Sequence, residues 1–267
     1  MTVNLPEGKQ YMSNEHEVTI EQMFFEKMNR GKQISDPQDL PAPCRNLLEK
    51  TILMNFYAEW WGGINYFRSL DLAPSITEMQ YMEIIAREEM GHAHILAKGS
   101  LSVLGIDPHK LLAKTVKEQT GILRVFQHPE MITRSWGDVL MFNRLQDSSA
   151  DMQLDEFADG CFQPYCDDIG LIEAEEVGHV EHGNESIRHY IQTEKGRFEL
   201  NRALHDWLPL VLDVFGKPGG KSEGLYLTYK LKHRTNEESR QLFIASIAPF
   251  FQEVGLTHPL LGTKMPN

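Results

Sequence analysis

Two short stretches of this chain carry the same chemistry. Residues 88–94 read EEMGHAH and residues 175–182 read EEVGHVEH, so Glu-Glu-apolar-Gly-His occurs twice, offset by 87 residues. In each copy a glutamate stands three residues before a histidine: Glu89 with His92, and Glu176 with His179. Residues three apart are neighbours on a helix, so one metal ion can touch both side chains. In the first copy these groups share a face with Tyr81, Ile85, Ile95 and Leu96. A carboxylate buried on such a face without a partner costs several kcal/mol, and coordinating a cation offsets that cost. A further carboxylate precedes each pair, Glu59 by 30 residues and Asp147 by 29. About 30 residues is what two antiparallel helices and a short turn need to bring two side chains to one height.

The layout is therefore carboxylate, Glu-x-x-His, carboxylate, Glu-x-x-His. On four facing helices it builds a centre for two metal ions. The sequence assigns Glu59, Glu89 and His92 to one ion. Asp147, Glu176 and His179 go to the other, with one or two glutamates bridging. Gln146 matches the spacing to Glu59 better than Asp147 does, but a neutral amide is a poor ligand for a hard cation, so Asp147 is preferred and Asp151 is the fallback. An oxygen-rich site with two imidazoles and open positions suits iron or manganese better than zinc. His94 points away from His92 on a helical wheel and is read as surface. His182 and His189 are read the same way, and Glu173, Glu175, Glu181 and Glu185 as a solvated face.

Composition narrows the partners. The chain has 267 residues, 41% of them hydrophobic, and a formal net charge of −12. That balance argues against a polyanion such as DNA or RNA, though not against a small anion in a local basic pocket. Its apolar runs fall short of the roughly 18 residues a membrane span needs, and residues 1–18 lack a signal-peptide layout. The three cysteines, Cys44, Cys161 and Cys166, have no Cys-x-x-Cys spacing and suit a reducing compartment. A cytoplasmic location is expected.

Four helices must position the ligands. Apolar periodicity places them at residues 47–70, 76–104, 136–157 and 167–192, within an all-α fold. Ser75 with Glu78 reads as a capping box, and Ser135 or Asp138 caps the third helix. Phe162-Gln163-Pro164 reads as an interruption before the fourth. Residues 109–134 are expected to be the long crossover of the bundle. Residues 18–29, 196–215 and 236–255 read as further helices, and 226–232 as a short extended piece. The expected organisation is an N-terminal extension over 1–46, a metal-binding bundle over 47–215, and a helical extension over 216–267. Trp60 and Trp61 flank Glu59 as core or as the wall of a substrate pocket. Basic residues from Lys217 to Arg240, with Lys230, Lys232 and Arg234 foremost, are candidates for holding phosphate.

At these residues the chain resembles the catalytic subunits of bacterial phenylacetyl-CoA epoxidase, within the ferritin-like diiron carboxylate superfamily. The resemblance rests on residues 88–92, on 135–147 (SWGDVLMFNRLQD), on 175–183 (EEVGHVEHG) and on 234–256 (RTNEESRQLFIASIAPFFQEVGL). It implies two iron ions held by the six ligands above, with Glu59, Glu89, Asp147 and Glu176 as catalytic carboxylates. It implies dioxygen as co-substrate and an aromatic acyl-CoA, such as phenylacetyl-CoA, as the compound that gains one oxygen atom. Electrons would come from NADPH through a separate reductase with a flavin and an iron–sulfur cluster. A partner of the same fold without a working site, or a homodimer, is implied as well. Asp147 departs from the commoner four-glutamate pattern and leaves the bridging mode open. The alternatives are a tRNA-modifying diiron hydroxylase and a ferritin-like iron-storage or peroxide-detoxifying protein; the acidic charge counts against the first and the chain length against the second.

Overall fold

The computed structural model describes residues 10–110 and 133–262. The described residues are helical, with one isolated bridge between Ile34 and Phe162. In chain order the helices are α1 (Gln10–Asn29), α2 (Ala42–Arg68), α3 (Ile76–Lys98), α4 (Ser100–Val103), α5 (Trp136–Phe142), α6 (Ser148–Ala158), α7 (Gln163–Tyr190), α8 (Glu194–Leu212), α9 (Glu223–Thr228) and α10 (Asn236–Glu253). Helices α2, α3, α7 and the α5–α6 pair form a ferritin-like four-helix bundle. α2 packs along α3, α6 along α7, and α3 against α7. None of the described helices is long and apolar enough to cross a membrane. Most of the expected crossover, residues 111–132, lies outside the described residues.

Local chemistry accounts for several helix starts. The Ser75 hydroxyl accepts from the Glu78 N–H, and that of Ser135 from the Asp138 N–H. Thr193 does the same for α8, and Thr235 with Glu238 forms a full capping box for α10. The Ser75 box is only half built, because the Glu78 carboxylate turns to Ser186 and His182 instead. Pro164 does not interrupt the chain: it sits in the first turn of α7, where its missing N–H costs nothing. The second bundle helix ends at Lys98, earlier than expected. At Gly99 a side chain would collide with the Asp168 carboxylate, which accepts the Ser100 N–H at 2.7 Å.

Two further departures matter. The third bundle helix is not continuous, since Asn143–Asp147 forms a π-helical turn between α5 and α6. Single π turns widen a helix by one residue and concentrate at functional sites. Residues 226–232 are not extended either. They finish α9 and turn at Lys230, which adopts φ 54°, with the Leu231 N–H bonded to the Tyr226 carbonyl at 2.9 Å. Tyr226 and Tyr229 lie three apart on a helix, a spacing that a short stretch does not separate from a strand pattern.

The apolar core is split in two. One cluster joins Ile52, Phe56 and Tyr57 of α2 to Leu96 of α3, Phe157 of α6 and Tyr165, Ile169 and Ile172 of α7. The other joins Tyr66 of α2, Met82 and Ile85 of α3, Phe142 and Leu145, and Ile187 of α7, and continues into Trp207 of α8 and Phe243 and Phe251 of α10. On α3, the α5–α6 pair and α7 the two clusters are separated by a polar stretch, on α2 by residues 58–65 with Glu59 among them, and all six candidate ligands lie between the clusters.

Candidate metal centre

Glu59, Glu89, His92, Asp147, Glu176 and His179 are all buried. His92 Nδ1 stands 3.2 Å from Glu59 Oε2 and 3.2 Å from Glu176 Oε1. His179 Nδ1 stands 3.5 Å from Glu176 Oε2 and 3.6 Å from Glu89 Oε1. Two groups of ligand atoms result, Glu59–His92–Glu176 and Glu89–Glu176–His179, each with its atoms within 4.8 Å of one another. Glu176 belongs to both, one oxygen facing each. The sequence paired Glu89 with His92. The structure sets Glu89 beside His179, because the carboxylate reaches across to α7.

Asp147, the sixth expected ligand, belongs to neither group of ligand atoms. Its Oδ2 accepts from the Tyr66 hydroxyl at 2.9 Å and from the Asn143 amide at 2.7 Å, and Asn143 also donates to Tyr66 at 3.0 Å. Asn143 and Asp147, four residues apart on one face, bound the π turn. Gln146 is buried, and its Oε1 meets no hydrogen-bond donor among the described residues. Asp151 and His94 are exposed, and His182 stacks on Tyr81 with ring centroids 4.3 Å apart. Glu173 is partly exposed; Glu181, Glu185 and His189 are exposed. The side chain of Glu175 lies outside the described residues.

The residues fit a bound cation pair. Glu176 Oε2 and His179 Nδ1 are buried without a hydrogen-bond partner among the described residues, although they face each other and Glu89. Such atoms are costly unless something coordinates them. The outer nitrogen is already occupied, since His179 Nε2 bonds Glu88 Oε2 at 2.9 Å; donation there leaves Nδ1 with a lone pair directed inward. The electrostatics agree. Burial, with Glu59 and Glu176 as neighbours, pushes the Glu89 carboxyl well above the usual carboxylate range. Burial pushes Asp147 up to about 8. Glu176 moves down to about 2 against burial, held by His179 and His92. The imidazoles rise despite burial, His92 to about 10 through Glu176 and Glu59, and His179 to about 9 chiefly through Glu176. Without metal, protons and imidazolium charges do the compensating that two cations would do.

Several supporting residues escaped the sequence reading. Tyr66 and Asn143 carry no motif of their own, and Glu88 stands next to the more prominent Glu89. A side chain at Gly62 would collide with Glu89 Oε2, and one at Gly183 with Asn143; small residues one or two turns from ligands were the available signal.

The basic trio is not brought together. Lys232 lines a cleft of about 300 Å³ with Lys217, Lys221, Asn236, Thr51, Met54 and Phe157. Its ammonium lies over the Phe157 and Tyr226 rings at 5.8 and 5.6 Å, and burial lowers its pKa. Arg234 turns away to Glu156 and Asp155, at 3.7 and 3.8 Å. Neither it nor Lys230 lines the cleft.

Comparison with known proteins agrees with this architecture. A family model described as "Phenylacetic acid catabolic protein" matches residues 22–265. The A component of 1,2-phenylacetyl-CoA epoxidase from Escherichia coli (strain K12) is 25% identical over 247 residues, covering 91% of this chain and 78% of that protein. With the family match running from α1 to the end of the described residues, and the ligand-bearing helices inside it, the chain belongs to the phenylacetic acid catabolic protein family.

Proposed function

We propose that this chain is the catalytic subunit of a diiron monooxygenase that places one atom of dioxygen on the ring of an aromatic acyl-CoA, with phenylacetyl-CoA as the first candidate. The observation that carries the reading is the shared Glu176, flanked by two buried histidine–carboxylate groups, in a member of this family. Glu59, His92 and Glu176 would hold one iron, and Glu89, Glu176 and His179 the other, with Asp147 beside them. An iron pair so held supplies the activation of dioxygen and the transfer of oxygen to the ring.

The chain's own contribution is positioning and exclusion of water. Apolar clusters above and below the centre keep solvent out of it, which strengthens every charge interaction inside. Tyr66 and Asn143 fix one Asp147 oxygen. Glu88 fixes the His179 ring through its outer nitrogen. Lys217, Lys221 and Lys232, which share the cleft with Asp213 and Glu223, would receive the coenzyme's phosphates, and the acyl end would extend along α2 toward Glu59. Electrons would come from NADPH through a flavin and iron–sulfur reductase. The E. coli relative is named as one subunit of its enzyme, and here a second subunit of the same fold would complete the assembly.

The test loads the chain anaerobically with ferrous iron and adds a suitable reductase, phenylacetyl-CoA and isotopically labelled dioxygen. A product one labelled oxygen heavier by mass spectrometry is expected. No oxygenated product from a panel of aromatic acyl-CoA compounds, from a chain with a loaded and reducible iron pair, would overturn the reading.

A further inference from the structure

On α2, Thr51, Asn55 and Glu59 follow one another at successive turns of one face. Thr51 lines the cleft, and Glu59 belongs to the metal centre. Asn55 lies between, and its amide donates to the Tyr165 hydroxyl of α7. Tyr165 is buried and tilted against Phe157, ring centroids 5.9 Å apart, and Phe157 also lines the cleft. Cleft wall, polar pair and metal centre are therefore stacked in that order. The pair is an anomaly within its apolar cluster, whose other members there are Ile52, Phe56, Ile169 and Ile172. Among the described residues no acceptor meets the Tyr165 O–H, so the hydroxyl accepts one bond and keeps its proton to give. Burial, then the nearby Glu59, raises the Tyr165 pKa well above its usual value, which keeps it a neutral donor at any working pH.

We propose that Tyr165, with Asn55 beside it, donates to the carbonyl oxygen of the acyl thioester and so sets how far the substrate's ring extends into the metal centre. This rests on the acyl-CoA reading above and adds to it the residues that measure acyl length. Four helical residues rise about 6 Å. That is roughly the reach from a thioester carbonyl, across one methylene, to the far side of a phenyl ring. A carbonyl held at the level of Asn55 thus brings the ring of an arylacetyl group to the level of Glu59. A benzoyl ring would fall short, and a longer arylalkanoyl chain would have to fold back.

The test measures binding to the full-length, iron-loaded chain under argon by titration calorimetry. Two ligands are compared: phenylacetyl-CoA, and the S-(2-phenylethyl) thioether of coenzyme A, which has a methylene in place of the carbonyl. The wild type is expected to prefer the thioester by about tenfold, one buried hydrogen bond's worth. Tyr165→Phe should remove most of that preference while leaving thioether affinity unchanged, and Asn55→Ala should narrow it in the same direction. A variant that weakens both ligands equally acts through structure alone and overturns the proposal, as does a Tyr165→Phe chain that keeps the full preference. If the wild type binds neither ligand although its iron is loaded, the acyl-CoA reading falls and the proposal with it. If the wild type binds and oxygenates phenylacetyl-CoA but Tyr165→Phe keeps the preference, only the proposal falls.

Discussion

Glu176 is the residue on which the centre turns. Among the carboxylates of the centre it is the one whose pKa falls, to about 2, between two imidazoles, and it faces both halves of the site. Replacing it with Gln removes the anion common to both groups. Glu176→Gln is therefore expected to lose most of the roughly two irons per chain that such a ligand set holds, read by elemental analysis after anaerobic loading. His94→Ala should keep them, because His94 is exposed on the far side of α3. A Glu176→Gln chain with undiminished iron would refute the ligand assignment. The residues around Glu176 have roles of their own: Glu88 orients His179, while Tyr66 and Asn143 restrain Asp147. Ligating side chains need such restraint, because a free carboxylate or imidazole samples several rotamers and only one of them coordinates.

At the level of elements, the close approach of α2 and α3 makes the site. Adjacent glycines on α2 divide the work. A Cβ at Gly63 would meet the Ala86 carbonyl at 2.9 Å, a backbone atom that cannot yield without moving the helix. A Cβ at Gly62 would instead meet the Glu89 carboxylate, the end of a flexible side chain. Gly63→Ala is therefore expected to destabilise the protein by about 1–3 kcal/mol, as overpacking does. Gly62→Ala should leave the melting temperature close to wild type but displace Glu89 and lower iron occupancy. Thermal melts and iron analysis on the pair separate the two effects. If Gly62→Ala lowered stability as much as Gly63→Ala while keeping its iron, the two glycines would not divide the work in this way.

For the molecule as a whole, a polar layer between two apolar cores makes global stability depend on what neutralises that layer. In the metal-free protein His92 and His179 rise from 6.5 to about 10 and about 9, and Asp147 from 3.8 to about 8. A group whose pKa is raised on folding stabilises the fold below its unfolded pKa, and that contribution is lost as pH rises through the folded value. All three act in the same direction above pH 6.5. Glu176, lowered from 4.5 to about 2, acts oppositely, its contribution being lost only as pH falls below 4.5. Metal-free protein should therefore melt at progressively lower temperature between pH 6.5 and 9. The iron-loaded protein should lose less, because bound cations replace the protons. Calorimetric or circular dichroism melts across that window check this; a metal-free melting temperature that stayed flat or rose would contradict it.

The sequence by itself determined the fold class and the height of the site. Glu-x-x-His at helical spacing, twice, each about 30 residues after a carboxylate, cannot be buried on four helices except as one shared polar layer, and Glu59, Glu89, His92, Asp147, Glu176 and His179 all lie in it. Periodicity and spacing are local quantities, and they suffice to say which face of a helix a residue occupies. They do not say which neighbour it meets across a gap. Only the tertiary structure paired Glu89 with His179, placed Glu176 between the two groups, and set Tyr66 of α2 against Asp147, at a π turn that no local pattern announces. The same limit governs the basic residues near the C-terminus. Lys230, Lys232 and Arg234 are close in sequence, yet a left-handed turn at Lys230 and the Glu156 carboxylate send them to different places, and of the three Lys232 alone lines the cleft, with Lys217 and Lys221. Side chains meet through the packing of whole helices, and that packing is settled by the sum of all contacts, which the order of residues in any one segment does not contain.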